Sequence, residues 1–280
     1  MNQISILHAL TSLRSLLYDA YAWQAAPPPI AFQLHVLETT PSTNAVVATL
    51  ASQGAAAGTV VMAKQQSSGR GQWGRQWQSP VGGLYLSLLL KPQWAAQEGG
   101  QLTLCTTWGV AIALRTMGIP VQLKWPNDLV IQRRKLGGLL IETRLKQGMI
   151  HDAIVGIGVN WHNPVPATGI NLAEWFADQP PDAPTRPIPD LETLAAVVLH
   201  GLMAGYQLWQ QQGIDAILPS YQTLLTRIGT PVQVGDRPAT ILGVAANGEL
   251  RVAFNDAETL LPLGSVQLGY APEASPTQET

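Results

Sequence analysis

The chain has 280 residues, 46% of them hydrophobic and 12% charged, with 16 Lys and Arg against 18 Asp and Glu for a net charge of -2. That length suits one medium domain with a small companion, and a charged fraction about half the ~25% usual in soluble domains excludes a general nucleic-acid-binding coat. The longest apolar runs, such as Leu84 to Leu90, fall far short of the ~18 residues a bilayer span needs, so no membrane span is predicted. Cys105 is the only cysteine, which leaves no intrachain disulfide, Cys-based zinc site or CxxC pair. Met1 to Leu17 lacks a basic leader, and Arg14 and Asp19 interrupt its apolar pattern. Together with the lone thiol, this predicts a reducing, cytoplasmic compartment.

In chain order, Ile4, Leu7, Leu10, Leu13, Leu16 and Leu17 predict an amphipathic helix over residues 4–24, ended by Pro27, Pro28 and Pro29. Phe32 to Leu37 reads as a strand, and Pro41-Ser42-Thr43-Asn44 opens a helix to Gly54 with Ser42 as its N-cap. Val60 to Lys64 and Leu84 to Leu90 read as buried strands and Leu102 to Met117 as a helix. Val121 to Val159 reads as a meander turning at Arg133-Arg134 and Lys146-Gln147-Gly148. Such short turns require antiparallel pairing, against a doubly wound Rossmann sheet. Five prolines between Pro180 and Pro189 predict a surface loop, followed by helices over Leu191 to Gln212 and Ile214 to Leu225 with Gly213 between them. From Pro231 the texture changes to short strands, Val232 to Val234, Ala239 to Val244, Leu250 to Phe254 and Thr259 to Leu263, with a hairpin signal at Asn247-Gly248. The predicted organisation is an N-terminal helix and linker (1–29), a main α/β domain (30–226), a small barrel (227–270) and a disordered tail (271–280) rich in Pro, Glu, Thr and Ser.

Three clusters concentrate the chemistry. Gly69 to Trp77, GRGQWGRQW, packs three glycines and two arginines into nine residues of a charge-poor protein. Glycines let a backbone aim N–H groups at an anion, and Arg70 and Arg75 offer planar forks for phosphate or carboxylate. Trp73 and Trp77 would wall off water or stack on a ring; the alternative is a surface hairpin with solvated arginines. The segment is not a P-loop, because no GK[ST] follows, and it lacks the spacing of a dinucleotide fingerprint. The second cluster, KWPNDL and RRKLGGLLIE, places Lys124, Asp128 and Lys135 at the edges of apolar strands, with Gly137-Gly138 as a bulge or a close-approach point. The third, GIGVN, interrupts an apolar strand with Gly156 and Gly158, either as a bulge or because a ligand or another backbone lies against that face. His8, His35, His151, His162 and His200 form no metal-binding spacing, and no GxSxG elbow is present. Cations with close-approach backbone, and no nucleophile or general base, suit phosphoryl or nucleotidyl transfer.

GRGQWGRQW, KWPNDL, RKLGGLLIE and GIGVN, together with Ser42-Thr43-Asn44 and Gln66, resemble the biotin protein ligases over roughly residues 32–270. The resemblance implies a mixed, largely antiparallel sheet with helices, like class II aminoacyl-tRNA synthetases, followed by an SH3-like barrel. It also implies attack of the biotin carboxylate on the α-phosphate of ATP, giving biotinyl-5'-AMP, and acyl transfer to one lysine of a biotin carboxyl-carrier protein domain, as in acetyl-CoA carboxylase. By the same resemblance Ser42, Thr43, Asn44, Gln66, Gly69, Arg70, Gly71, Gln72, Lys135, Gly138, Gly156 and Gly158 would bind biotin. Arg70, Arg75, Trp77, Lys124, Lys135 and Asn160 would meet ATP. Lys135, Arg70 and Asp128 would be catalytic, with Asp128 positioning either Mg²⁺ or the incoming lysine. Magnesium is expected with ATP, held by the phosphates more than by protein ligands.

Two departures stand out. Gln72 and Trp73 replace the middle arginines of the GRGRRGR found in many bacterial members, and only about thirty residues precede the first catalytic strand. A winged helix-turn-helix needs more helices and a basic recognition face, so DNA binding and repression are not expected. The alternatives are a lipoate-type ligase, whose RR..GGG.V.H pattern is absent, and a non-enzymatic regulator that binds biotin or nucleotide. Oligomeric state is left open.

Overall fold

The computed structural model describes residues 1–21, 31–180, 188–255 and 257–270. The triple proline at 27–29, most of the proline-rich stretch (181–187) and the tail (271–280) lie outside the described residues.

Helices α1 (Gln3–Ser12) and α2 (Arg14–Tyr18) lead into β1 (Gln33–Thr40), α3 (Thr43–Ser52) and β2 (Thr59–Gln66). Next come β3 (Leu84–Leu90), β4 (Trp94–Ala95), α4 (Gly99–Thr116), β5 (Gln122–Lys124), β6 (Asp128–Ile131), β7 (Arg134–Lys146) and β8 (Met149–Val159). Helices α5 (Leu172–Ala177), α6 (Leu191–Gln212) and α7 (Leu218–Leu224) precede β9 (Pro231–Val234), β10 (Arg237–Val244), β11 (Leu250–Phe254) and β12 (Ala257–Leu261).

The first eight strands form one sheet in the order β1-β2-β3-β8-β7-β6-β5, with β4 paired to β8. Among the described strands of this sheet β1 and β2 pair in parallel and the other pairs are antiparallel, as the short turns from β5 to β8 require of those strands. Strand β3 is buried along its whole length because both faces of the sheet are covered. On one face α3 packs Val47 and Ala51 against Val61, Leu89 and Ile154. On the other lie α4 and α6, whose backbones touch at Gly109 and Gly205, where a methyl group would collide with the facing chain. Helix α6 is long and apolar enough to cross a bilayer, yet 83% of its apolar window is buried, so its composition matches a helix surrounded by protein on all sides.

The N-terminal helix differs from its predicted form. It breaks at Leu13, and it packs on α6 through Ile6, Ala9, Leu10 and Leu17, leaving Ile4, Leu7 and Leu16 exposed. A repeat of three residues precesses around a 3.6-residue helix and cannot stay on one face, whereas Ile6, Leu10 and Leu17 do. Nε2 of His200 donates to the Leu10 carbonyl at 2.6 Å and ties this segment to α6.

Two details of the meander also shift. The β6–β7 turn falls at Gln132–Arg133, both at positive φ, one residue earlier than predicted. Between β6 and β7 the register slips at Leu129/Val130, so the bulge sits at Leu136 beside the glycine pair. Strands β9 to β12 form a separate antiparallel meander in the order β12-β11-β10-β9, consistent with an SH3-like unit. It docks on the main domain through Trp125 Nε1 donating to the Gly248 carbonyl at 2.9 Å and Gln222 Nε2 of α7 donating to the Val244 carbonyl at 2.7 Å.

Candidate functional site

One cavity opens where α3, the Gly69–Trp77 loop, the middle of the sheet and the segment after β12 meet. It is lined by Ser42, Thr43, Asn44, Gln66, Arg70, Gly71, Gln72, Arg75, Trp77, Lys124, Asp128, Lys135, Gly138, Gly156 and Gly158. Of the predicted site residues only Gly69 and Asn160 stand apart from it. Gly69 serves its own hairpin: a side chain there would strike the Trp77 carbonyl and Ser79. Asn160 is 5% exposed and its amide is spent on structure, donating to the carbonyls of Lys135 and Ile170 at 3.2 Å each and accepting from Asn163. It lines an adjoining groove that shares Trp77 and Lys135 with the main cavity.

One end of the cavity is a neutral network at the N-terminus of α3. Ser42 occupies the N-cap position but makes no side-chain cap bond, contrary to its predicted role. Gln66 supplies what Ser42 does not: its Oε1 accepts from the Thr43 amide at 2.8 Å, satisfying a first-turn donor, while its Nε2 donates to Ser79 at 2.8 Å. The fully buried Ser87 of β3 donates to Asn44 Oδ1 at 2.6 Å and lies 2.7 Å from Thr43 Oγ1. Asn44 in turn donates to Glu142 Oε2 at 2.6 Å, and Glu142 holds Arg70 at 3.1 Å. A continuous chain therefore runs from the strand interior to the arginine of the glycine-rich loop.

The glycines of GIGVN earn their place differently from the expectation of a ligand or another backbone against the strand. A Cβ at Gly156 would overlap the carboxamide of Asn44, and one at Gly158 would overlap the indole of Trp77. Side chains from two other elements thus lie directly on the strand and form the cavity wall.

The other end is ionic. Lys135 Nζ lies 2.6 Å from Asp128 Oδ1, and Lys124 Nζ lies 3.3 Å from Oδ2. The Tyr270 hydroxyl donates to the same Oδ2. Burial alone would push the Asp128 carboxyl up, but the ammonium groups of Lys135 and Lys124 and the hydroxyl outweigh it and hold it below the usual carboxylate range. Burial, partly offset by Asp128, pulls Lys124 below the usual lysine value. Lys135 also sits 5.1 Å from the Trp77 ring, and the Arg75 guanidinium 5.7 Å from that of Trp73. Trp73 itself is half exposed, and its indole lies on the backbone of Gly264.

Gln72 Oε1 and Trp77 Nε1 are buried in the cavity wall with no hydrogen-bond partner among the described residues, an arrangement that suits a polar ligand. Among the described residues no three His, Cys, Asp or Glu side chains group to hold a metal, and both oxygens of Asp128 are engaged by lysines. The cavity therefore does not fit a resident metal ion; its donors are mainly cations and amides.

Sequence reasoning missed Ser87, Glu142, Tyr270 and the Val266–Leu268 stretch. A lone serine inside LYLSLLL was a usable signal, because a buried hydroxyl needs a partner. Tyr270 and Val266–Leu268 carried none, since only folding brings them to the cavity.

Residues 36–160 match the model of the Biotin/lipoate A/B protein ligase family. The chain is 33% identical over 188 residues to the bifunctional ligase/repressor BirA of Escherichia coli (strain K12), covering 64% of this chain and 56% of that protein. It is 35% identical over 128 residues to a biotin--[acetyl-CoA-carboxylase] ligase of Paracoccus denitrificans, covering 45% and 53% respectively. The chain thus spans little more than half the length of these two relatives. Among solved structures, a biotin protein ligase from Aquifex aeolicus in complex with biotin and ATP superposes with a TM-score of 0.69 at 25% identity, over 85% of this chain and 99% of that one.

Proposed function

We propose that the protein, whose residues 36–160 match the Biotin/lipoate A/B protein ligase family, activates biotin with ATP and passes it to a lysine of a biotin carboxyl-carrier protein domain. The observation that carries this reading is that Arg70 and Lys135, from a loop and a strand 65 positions apart, line one cavity together with the Gly156–Gly158 wall and the Thr43–Gln66 network. The Aquifex relative's complex with biotin and ATP supports the same pair of substrates.

In the first half-reaction a carboxylate oxygen attacks the α-phosphorus of ATP; the bond to the bridging oxygen breaks, pyrophosphate leaves and biotinyl-5'-AMP remains. Two anions must be brought together, so the cost lies in charge, and preorganised cations lower it. Arg70 is suited to the carboxylate and Lys135 to the phosphate, with Lys124 and Arg75 adding positive potential. The neutral end around Thr43, Asn44 and Gln66 offers amide and hydroxyl partners to the ureido ring, and the Trp77 indole lying on Gly158 offers the acyl chain a flat wall. In the second half-reaction a neutral lysine amine of the carrier attacks the acyl carbon and AMP departs. Asp128, kept ionised by its lysines, is suited to orient that amine, whose proton leaves with the departing AMP or to water. Magnesium is proposed to arrive on the phosphates of ATP, since Asp128 is already ion-paired.

The test is exchange of labelled pyrophosphate into ATP with biotin, with lipoate and with neither, followed by ATP-dependent labelling of a carrier domain. Biotin-dependent exchange and one labelled lysine are expected. Exchange that responds to lipoate alone, or none with either acid, would overturn the reading.

A further inference from the structure

The segment that follows β12 belongs to the ionic end of the cavity as much as β5 and β7 do. Val266 and Leu268 are buried and line the cavity, and Tyr270 reaches past them to Asp128. Tyr270 makes two contacts at once: its hydroxyl donates to Asp128 Oδ2, and the ammonium of Lys124 lies 4.1 Å from its ring centroid. That oxygen also takes Lys124 at 3.3 Å, while Oδ1 takes Lys135 at 2.6 Å. The carboxylate is thereby held from its two neighbouring strands and from a residue 142 positions away, and Lys124 is clasped between a carboxylate and an aromatic face.

We propose that Tyr270 is a positioning residue for the adenylation step, acting through Asp128 and Lys124 to hold the two lysines apart and aimed into the cavity. The small C-terminal sheet then takes part in the first half-reaction by carrying this side chain to the site. The inference rests on the function proposed above. Without the hydroxyl, Asp128 Oδ2 keeps only the longer contact to Lys124, and nothing fixes the angle of the carboxylate. Without the ring, Lys124 loses the aromatic face that covers one side of it, next to a second cavity lined by Lys124, Arg133, Arg227 and Tyr270 itself.

The groups facing Asp128 are Lys124 from β5, Lys135 from β7 and Tyr270. Arg227 acts on Lys124, Arg75 acts on Tyr270, and Tyr221 of α7 feels the Asp128 charge. Burial and then the neighbouring Asp128 charge push the Tyr270 phenol far above its usual value, so it remains a donor at every working pH. Its removal takes one donor from the carboxylate, which then accepts a proton more readily.

The experiment is biotin-dependent pyrophosphate exchange across pH for the wild type, Tyr270→Phe, Asp128→Asn and the double variant. Tyr270→Phe should lower kcat about tenfold, the scale of one hydrogen bond to a charged group, with KM for biotin within about twofold. Its acid limb should move to higher pH, and it should have no further effect in the Asp128→Asn background. Wild-type kcat with an unmoved acid limb, or equal losses in both backgrounds, would overturn the proposal. Placing 3-fluorotyrosine at position 270, which is isosteric and a stronger donor, should move the acid limb the other way whether or not Tyr270→Phe folds; an unmoved limb there also counts against it. A wild type that shows no exchange at all would instead remove the underlying function.

Discussion

At the end of the cavity formed by α3, β2 and β3 the polar groups are neutral and bonded to one another, whereas at the end formed by β5, β6 and β7 they are charged and paired across strands. The neutral end is nearly sealed: Ser42, Thr43 and Asn44 are each no more than 6% exposed, and Ser87 is fully buried. Its hydrogen bonds fix shape, which suits recognition of an uncharged ring. The ionic end keeps Asp128 buried but leaves Lys135 partly open, so charge is stored under cover and presented at the surface of the cavity. Arg70 joins the two, tied through Glu142 and Asn44 to Ser87.

If that division holds, changes at the ionic end should strike turnover and changes at the neutral end should strike fit. Lys135→Ala is expected to have the largest effect, a loss of at least ~100-fold in biotin-dependent pyrophosphate exchange measured on the folded variant; near-normal exchange would break the assignment. Asp128→Asn leaves two partly buried lysines without their counter-ion and should cost about 3 to 5 kcal/mol in urea unfolding at neutral pH. The folded-state value of Asp128 lies below its ordinary 3.8, so its stabilising contribution is complete above that value and lost as pH falls through the folded one. The gap in melting temperature between wild type and Asp128→Asn should therefore close on acidification below pH 3.8 and stay open above it; a gap that widens there would reverse the sign. Ser87→Ala removes the donor to Asn44 Oδ1 and should cost about 1 to 3 kcal/mol, with KM for biotin rising more than kcat falls. Gln72→Arg, restoring a cation to the loop, should slow release of biotinyl-AMP by about threefold to tenfold, the scale of one exposed charge contact. An unchanged off-rate in stopped-flow fluorescence would reject this role for a cation at position 72.

The same division explains what could be read in advance. The ionic end was legible because charge is scarce in this chain: Lys124, Asp128 and Lys135 interrupt apolar strands, and a charge in such a place needs a reason. The antiparallel pairing of β5 to β8 was legible because short turns permit only antiparallel neighbours, whereas the placing of β8 beside β3 and the parallel pairing of β1 with β2 were not. The neutral end was harder, since Ser42 looks like a cap and Asn44 like a helix residue until Ser87 and Glu142 appear beside them. The N-terminal helix misled for a different reason, because leucine spacing alone cannot say which face a neighbour will cover. Tyr270 was out of reach altogether: it sits 142 positions from Asp128, and no local pattern encodes a contact made by docking one sheet on another.

The ion pair between Arg70 and Glu142 bears on what binding would cost. Because the guanidinium already has an anionic companion, an arriving acid would replace one negative partner with another instead of neutralising a bare charge. The net electrostatic change is small, and Asn44 still donates to the carboxylate left behind. Capture of such an acid should then respond weakly to ionic strength, since the swap hardly alters how many ions the surrounding salt must screen.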